Sequence, residues 1–382
     1  MSVSLPRSDR NDTAALLAKL YISADRANAV KGTQSSPPTL IVAMPPISGN
    51  KYQILLYQEA ASHGCAVIGA RALQDLQAIS WPGPVLLHCH WFDGLFKGAH
   101  DDAAAQTVLK EITSGIDRFC YRTGAKTLWT AHNLMPHGNA YPETYLALRR
   151  WILDRFDAVH LLDDAHGPII EDALNRSLPK HFCVPHMSYA GSLPNTINRI
   201  AARAHYDIPT DAVVFGVFGS IQAYKNIPQL LHQLSPLAQS RPDKIFVLIG
   251  GVPKDASVVL QIQNEYGFAP WLKFMPRKIP DDEVQYLHHA SDIMVLAYEN
   301  LNSGAAMMAA SFGSPLLMPS TVNQTILSDH GLHLFNPRDP KSLAHALGNV
   351  IQNPPERRQP LPQFLNPKQI SNTFFHAVTS LF

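Results

Sequence analysis

The sequence predicts an α/β protein built from two Rossmann-like domains that face each other across a cleft. Its length of 382 residues is too great for one ordinary domain and suits two. Short apolar runs alternate with segments of helical length along most of the chain, which is typical of parallel sheets covered by helices on both faces. A stretch rich in Pro, Gly, Ser and Asn at 185–196 interrupts this series and divides it into two halves.

The N-terminal half predicts a doubly wound sheet. Its polar opening, 1–38, contains one expected helix at 14–30. Continuous apolar runs then predict strands at 39–44, 65–70, 84–91, 126–133, 157–163 and 181–185. Helical length and spacing predict helices at 52–63, 101–123, 141–155 and 165–176. Because strands and helices alternate, a parallel sheet with crossover helices follows.

The C-terminal half repeats this architecture without repeating its sequence. Strands are predicted at 212–219, 244–251, 271–276, 292–298 and 314–320. Helices are predicted at 224–238, 255–267, 281–290, 303–312 and 341–352. A Pro-rich strap at 354–367 and a last helix at 368–382 end the chain. The expected domains are therefore 1–190 and 191–365, followed by a C-terminal helix at 366–382, with ligands at the carboxyl ends of the strands.

Composition excludes several classes of protein. Thirty-one Lys and Arg against thirty Asp and Glu leave a net charge of +1, so we expect no nucleic-acid partner. Four widely spaced cysteines without a C-x-x-C pair indicate a reduced, cytoplasmic protein rather than a disulfide framework or a zinc site. The N-terminus resembles no signal peptide, and no stretch approaches 18 uninterrupted apolar residues, so we expect no membrane-spanning segment.

Two loops of the C-terminal half favour an anion. The loop 298–302 leads into a helix that opens with Ser303, Gly304 and Ala305, whose small side chains leave the backbone N–H groups accessible. The alternative is an ordinary tight junction in which Asn302 or Ser303 only caps the helix.

The second loop follows the first strand of the same half. Gly216 and Gly219 lie at the end of that strand, and Tyr224 and Lys225 follow near the start of the next helix. Gly219 would let a ligand approach the chain, and Lys225 would neutralise a diphosphate. This is not the dinucleotide fingerprint G-x-G-x-x-G, and Lys225 alone could be a solvated surface charge. Two anion-friendly loops at one sheet edge together favour a phosphorylated ligand.

The N-terminal half carries acid–base candidates at its strand ends. His88 and His90 share one face of a strand, and with His132 or Asp93 they form a conceivable zinc set. No H-E-x-x-H, cysteine-rich or carboxylate cluster supports this, so the sequence favours no metal, with His88 a buried, hydrogen-bonded histidine. Asp93 is the favoured general base. His132 is the competing base, or a donor that positions a ligand.

Three arginines, at 149, 150 and 155, fall on one expected amphipathic helix. We interpret them as a solvated face. A second interpretation is that, with Lys97, they meet an anionic lipid surface.

Four segments together resemble bacterial exopolysaccharide glycosyltransferases of the GT-B fold, particularly the inverting β-mannosyltransferase family of the xanthan pathway. They are HCHWFD (88–93), TAHNLMPH (130–137), FGSIQAYKNIPQLL (218–231) and VLAYENLNSGAAMMAASFGSPLLMP (295–319). They follow the family's order over about 230 residues of both halves. The resemblance implies a nucleotide-sugar donor on the C-terminal domain, an acceptor on the N-terminal domain and a last helix that crosses back to the first domain.

The resemblance also assigns residues. Asp93 would activate the acceptor, with His132 as its alternative. The donor site would comprise Gly219, Tyr224, Lys225, Tyr298, Glu299, Asn302, Ser303, Gly304 and Ala305. The acceptor and cleft residues would be Gly49, His90, Trp91, Asn133 and His137.

Two positions depart from the family. Glu299 stands where the family has an arginine, and Gly138 where it has a glutamate. An acidic group beside a diphosphate is unfavourable, so Glu299 would bind ribose or sugar hydroxyls instead. Met307 lies eight residues after Glu299, so the E-x7-E pattern of many retaining relatives is absent, which favours inversion.

The resemblance predicts a protein that transfers a hexose onto a lipid-linked oligosaccharide in exopolysaccharide biosynthesis. The favoured hexose is mannose, taken from GDP-mannose. The nucleotide sugar is a co-substrate, and no cofactor or metal is expected. The protein would be cytoplasmic, with peripheral contact at the inner membrane. The alternatives are a retaining transferase with another nucleotide sugar, a nucleotide-sugar epimerase, and a non-catalytic sugar-binding subunit of the same fold.

Overall fold

The computed structural model describes residues 10–31, 37–45, 51–136, 138, 140–322 and 324–382. The expected cleft residues Gly49 and His137 lie outside these ranges. The chain divides into two compact units. The first, the N-terminal unit, runs to Met187 and includes Pro367–Phe382; the second, the C-terminal unit, is Ser188–Asn366.

The N-terminal unit contains a six-stranded parallel sheet in the order β2-β1-β3-β4-β5-β6. The strands are β1 Thr39–Met44, β2 Cys65–Gly69, β3 Val85–Cys89, β4 Lys126–Thr130, β5 Ala158–Leu161 and β6 Lys180–Cys183. The helices before the second unit are α1 Arg10–Lys31, α2 Lys51–Leu56, α3 Leu73–Ala78, α4 Asp102–Thr123, α5 Pro142–Arg155 and α6 His166–Leu174. Every strand predicted in this half is present, and most are a few residues shorter than their apolar runs.

The C-terminal unit contains a second six-stranded parallel sheet in the order β12-β11-β10-β7-β8-β9. Its strands are β7 Val213–Phe218, β8 Ile245–Gly250, β9 Leu272–Met275, β10 Ile293–Val295, β11 Leu316–Pro319 and β12 Leu332–Phe335. Its helices are α7 Arg199–His205, α8 Ile227–Ser240, α9 Ala256–Tyr266, α10 Val284–Ala290, α11 Gly304–Ser311 and α12 Pro340–Gln352. Two doubly wound parallel sheets confirm the predicted α/β class.

The last helix, α13 (Pro367–Thr379), belongs to the N-terminal unit. It packs against α2, where the Ser371 hydroxyl donates to the Leu56 carbonyl at 2.7 Å. Phe374 and Phe375 are fully buried on the same face of α13. The chain therefore returns to its first unit and contributes aromatic side chains to that unit's core.

Local chemistry explains where several helices begin and end. Asp101 caps α4 by accepting from the Ala104 N–H at 2.7 Å, and Gly124 ends it in the left-handed region at φ 66°. Asp255 caps α9 in the same way. Among the described residues, no helix combines the length and the apolar character that crossing a membrane requires.

Candidate functional site

The predicted donor loops lie at the carboxyl ends of two adjacent strands, β7 and β10. Lys225 ends a short 3₁₀ turn after β7, and its Nζ atom lies 5.4 Å from the centre of the Tyr298 ring. The Tyr224 ring meets Tyr298 edge to face at 5.3 Å. Three of the predicted donor residues therefore form one cluster, which we call the lysine–tyrosine cluster.

Lys225 is a buried cation, 6% exposed. Burial lowers its pKa to about 8. In the described part of the chain, Nζ has one hydrogen-bond partner, the Phe218 carbonyl, in a long contact of 3.5 Å. No acidic side chain among the described residues forms an ion pair with Lys225. A buried charge without a counter-ion is costly in free energy, so such an arrangement is typical of a site whose partner is an anionic ligand.

Gly219 gives the loop its close packing. Its φ of 112° is a conformation that L side chains rarely adopt, and a Cβ there would lie 2.7 Å from the Lys225 Nζ. The neighbouring Gly251 is also required, because a Cβ on it would lie 1.6 Å from the Gly219 carbonyl oxygen. The Lys225 ammonium therefore lies directly against the bare backbone of Gly219.

The second loop ends at the N-terminus of α11. The Ser303 hydroxyl caps this helix by accepting from the Ala306 N–H at 3.2 Å, and it lies 3.3 Å from the Tyr298 hydroxyl. Gly304 and Ala305 form the first turn, where N–H groups have no partner within the helix. Ala305 lines the same small cavity as Lys225 and Tyr298. The positive end of the α11 dipole and the Lys225 ammonium are thus neighbours.

Two further predicted donor residues have side-chain partners. The Asn302 side-chain oxygen Oδ1 accepts from the Gln324 side-chain amide at 2.8 Å in a buried contact. Glu299 is exposed and accepts from the Thr321 hydroxyl at 2.6 Å. The carboxylate of Glu299 is therefore held by a hydroxyl at the surface of the unit.

In the N-terminal unit, His90 and His132 follow β3 and β4, which are adjacent strands. The His90 Nδ1 and His132 Nε2 atoms lie 3.0 Å apart. The Trp91 ring stacks on His132 at 4.1 Å, and Tyr52 from α2 meets the same ring edge to face at 4.8 Å. Half-buried Asn133 is the next residue along the chain. His132 is therefore held between two aromatic rings at the sheet edge.

Asp93 begins a 3₁₀ turn just beyond β3 and is half-buried. Its Oδ1 atom is buried and has no hydrogen-bond partner among the described residues. Burial raises the pKa of this carboxyl, while the Arg149 guanidinium acts in the opposite direction. A carboxylate with one uncompensated oxygen and a raised pKa has the properties of a general base.

The interpretation of Arg149 as part of a solvated face is wrong. Arg149 is buried, with its guanidinium 4.9 Å from the Trp129 ring centre, and its Nε donates to the Leu134 carbonyl at 3.0 Å. It lies on the buried face of α5, with Tyr145 four residues before it and Ile152 three residues after it. That helical spacing is the sequence signal that places it inward. Its charge then acts on Asp93.

His88 in β3 is held by hydrogen bonds on both sides of its ring. His88 is fully buried, and its ring nitrogens contact the Tyr57 and Thr130 hydroxyls at 2.6 and 2.7 Å, in agreement with the buried histidine that the sequence predicts. Nothing in the sequence pattern singled out Tyr57. Over the described ranges, no group of three or more His, Cys, Asp or Glu side chains is arranged to hold a metal ion.

One part of the C-terminal unit matches a known family model. Residues 212–353 match the family model described as glycosyl transferases group 1. A D-inositol 3-phosphate glycosyltransferase from Saccharomonospora viridis is 26% identical over 171 residues, which are 42% of this chain and 39% of that protein. One from Streptomyces coelicolor is 25% identical over 166 residues, 41% of this chain and 36% of that protein. The chain thus spans about two fifths of the length of these curated relatives.

Solved structures share the fold at low sequence identity. An α,α-trehalose-phosphate synthase (UDP-forming) from Burkholderia vietnamiensis superposes with a TM-score of 0.61 at 13% identity, over 90% of this chain and 99% of that one. Anabaena HepE in complex with UDP superposes with a TM-score of 0.58 at 12% identity, over 90% and 98% of the two chains. Both likenesses extend over both units and show the fold, two Rossmann-like domains.

Proposed function

We propose that this protein is a glycosyltransferase that takes a sugar from a nucleotide sugar bound by its C-terminal unit. The observation that carries the proposal is Lys225, a buried cation that forms no ion pair with a described acidic side chain and lies beside the N-terminus of α11. A diphosphate supplies the missing negative charge. The match to group 1 glycosyl transferases, residues 212–353, includes Lys225 and the whole 298–305 loop, so it supports the same assignment.

The proposed chemistry is a displacement at the anomeric carbon of the donor sugar. Asp93 accepts the proton of the acceptor hydroxyl while that oxygen attacks the sugar. The bond to the nucleoside diphosphate breaks, and its negative charge is stabilised by Lys225 and the first N–H groups of α11. Because a lysine and backbone donors balance this charge, the step needs no metal ion. Attack by the acceptor from the opposite face gives inversion at the anomeric carbon.

The finer assignment is mannose from GDP-mannose, transferred to a lipid-linked oligosaccharide during exopolysaccharide assembly at the cytoplasmic face of the inner membrane. Its support is the sequence resemblance of the four strand-end segments. Uridine nucleotides are the competing donors, since Anabaena HepE was solved with UDP and the Burkholderia synthase is named UDP-forming. The donor base is therefore the part of the proposal that a direct binding experiment decides.

A thermal-shift panel tests donor binding. We expect GDP-mannose to raise the melting temperature, and UDP-glucose, ADP-glucose and dTDP-glucose to raise it less. A ligand at 100 times its Kd stabilises the folded state by about 2.7 kcal/mol. Free mannose and GMP, which lack the diphosphate, serve as controls and should give little shift. No shift with any of the four nucleotide sugars would contradict the proposed donor site, and a larger shift with UDP-glucose would overturn GDP-mannose alone.

A further inference from the structure

The N-terminal unit contains a continuous buried row of imidazole and hydroxyl groups, which we call the histidine–hydroxyl chain. It runs across β5, β4 and β3 and joins, in order, the Val184 carbonyl, His160, Thr130, His88, Tyr57, His90 and His132. All six side chains are buried. His90 and His132, at one end of the chain, also belong to the candidate site at the ends of β3 and β4.

The four imidazoles of the chain are neutral at pH 7. Burial lowers the pKa of His90 to about 3 and that of His160 to about 4. Burial also holds the pKa values of His88 and His132 well below the ordinary 6.5, and the neighbouring imidazoles act in the same direction. A neutral imidazole has one N–H donor and one acceptor nitrogen, so each hydrogen bond along the chain constrains the next.

The Val184 carbonyl at one end of the chain sets the donor-to-acceptor direction of its hydrogen bonds. The Val184 oxygen can only accept, so His160 donates to it from Nε2 at 2.8 Å, and its Nδ1 is an acceptor. The Thr130 hydroxyl, 3.0 Å away, must donate its single proton to that Nδ1. Thr130 therefore accepts from His88, whose Nε2 lies 2.7 Å away and carries the proton.

The same reasoning continues to His132. With its proton on Nε2, His88 accepts at Nδ1 from the Tyr57 hydroxyl at 2.6 Å. Tyr57 has then used its proton and accepts from the His90 Nε2–H at 2.8 Å. The His90 Nδ1 is left as an acceptor, and His132 donates to it from Nε2 at 3.0 Å. Each link leaves one arrangement of protons.

We infer that the histidine–hydroxyl chain fixes His132 as the Nε2–H tautomer and presents the lone pair of its Nδ1 as the acceptor for a sugar hydroxyl. This rests on the proposed function for the identity of the hydroxyl, whereas the tautomer follows from the chain alone. It changes the role expected from the sequence, in which His132 was a base or a positioning donor. Tyr57, His88, Thr130 and His160 act through His132 and are positioning residues.

The surroundings of His132 suit this role. Trp91 stacks on one face of the ring, and Tyr52 approaches edge-on, so the ring plane is held. No described residue forms a hydrogen bond with Nδ1. A neutral nitrogen lone pair binds a hydroxyl and repels phosphate oxygens, so it selects a sugar hydroxyl over the diphosphate. The raised pKa of Asp93 leaves that carboxylate as the proton acceptor.

Nitrogen-15 NMR of the free protein tests the tautomer without any substrate. Long-range ¹H–¹⁵N correlation spectra of the imidazole rings distinguish Nε2–H from Nδ1–H tautomers. We expect Nε2–H for His88, His90, His132 and His160, assigned through single His→Gln variants. An Nδ1–H tautomer at His132 overturns the inference even if the protein transfers sugar. Conversely, the expected tautomers in a protein that transfers no sugar would contradict only the proposed function.

Tyr57→Phe breaks the chain at its centre. We expect His90 and His132 to populate both tautomers in this variant, because the hydroxyl that fixes their direction is gone. Tyr52→Phe is the matched control, since it keeps the ring beside His132 and lies outside the chain; it should leave the Nε2–H tautomer intact. If Tyr57→Phe fails to fold, Thr130→Val removes the other hydroxyl of the chain, two hydrogen bonds earlier. An unchanged His132 spectrum in either folded variant shows that the chain does not fix the tautomer.

Two substitutions at His132 test the acceptor. An Asn side chain places its amide near the position of Nδ1, and a Gln side chain places its amide near Nε2. We expect His132→Asn to retain at least tenfold more transfer activity than His132→Gln, with GDP-mannose or UDP-glucose as donor. Equal losses in the two variants, or the reverse order, overturn the role of Nδ1.

Discussion

Asp93→Asn is expected to lower kcat for sugar transfer by about 100- to 10,000-fold, the usual contribution of a general base. The amide keeps the shape of the carboxyl and cannot accept the proton of the acceptor hydroxyl. Release of nucleoside diphosphate, measured with a coupled assay, reports the rate. The affinity for nucleotide, measured by calorimetry, should stay within about twofold because the donor residues belong to the other unit.

Asp154→Asn is the matched control for this prediction. Asp154 lies in the same unit and forms an exposed ion pair with Arg176 at 3.2 Å, which contributes little to stability. Transfer by this variant should match the wild type. A wild-type rate in Asp93→Asn would remove Asp93 from the role of base and contradict the proposed mechanism.

Lys225→Met is expected to stabilise the protein while it weakens nucleotide binding. The pKa of Lys225 is about 8 rather than 10.5, which means that its positive charge destabilises the folded state by about 3 kcal/mol at neutral pH. Met fills the same space without that charge, so the free energy of unfolding should rise by up to this amount. The loss of a charge-assisted contact should weaken nucleoside diphosphate binding by about 10- to 100-fold.

Urea unfolding and calorimetry measure the two effects. Lys244→Met is the control, because Lys244 is exposed and paired with Asp211 in the same unit. It should change stability and affinity little. A stable Lys225→Met variant that binds nucleotide as well as the wild type would show that Lys225 does not contact the donor.

The pH dependence of binding follows from the same lysine. Near pH 7 Lys225 is mostly charged in the free protein, so the affinity for GDP should change little there. Above pH 8 the free lysine loses its proton, and the affinity should fall by up to about tenfold per pH unit until the pKa of the complex is reached. Lys225→Met should lack this fall. In the same range the unfolded chain keeps the Lys225 proton that the folded chain has lost, so the contribution of Lys225 to stability rises between pH 8 and 10.5; the difference in free energy of unfolding between the wild type and Lys225→Met measures it.

Much of the fold could be predicted because parallel strands are buried on both faces and read as continuous apolar runs. β12 escaped this rule: it is an edge strand whose first three residues are partly or fully exposed, so Leu332–Phe335 gives no such run. The sequence also predicts neither α3 nor α7. Helix α3 is only six residues long, and α7 carries two arginines in a polar segment. Short elements on the periphery have weak periodicity, and packing decides them.

The candidate site was predicted in outline because strand ends, small residues and charged side chains leave a pattern in the sequence. Single side chains whose roles depend on three-dimensional contacts leave no such pattern and were not predicted. Arginine is usually a surface residue, but Arg149 is buried, with its guanidinium against the Trp129 ring. Tyr57 is one tyrosine among twelve, and its importance arises only because β3 places His88 and His90 against its hydroxyl.

Transfer of a labelled sugar tests the central claim most directly. The protein is incubated with GDP-[¹³C]mannose or UDP-[¹³C]glucose, with and without a polyprenyl-diphosphate-linked oligosaccharide, and the products are analysed by mass spectrometry and NMR. We predict nucleoside diphosphate release and a labelled lipid-linked product that requires both substrates, with inverted configuration at the anomeric carbon. Conversion of the donor alone into a different nucleotide sugar, as an epimerase would give, contradicts the claim that the protein is a glycosyltransferase. The absence of a labelled product with either donor also contradicts it.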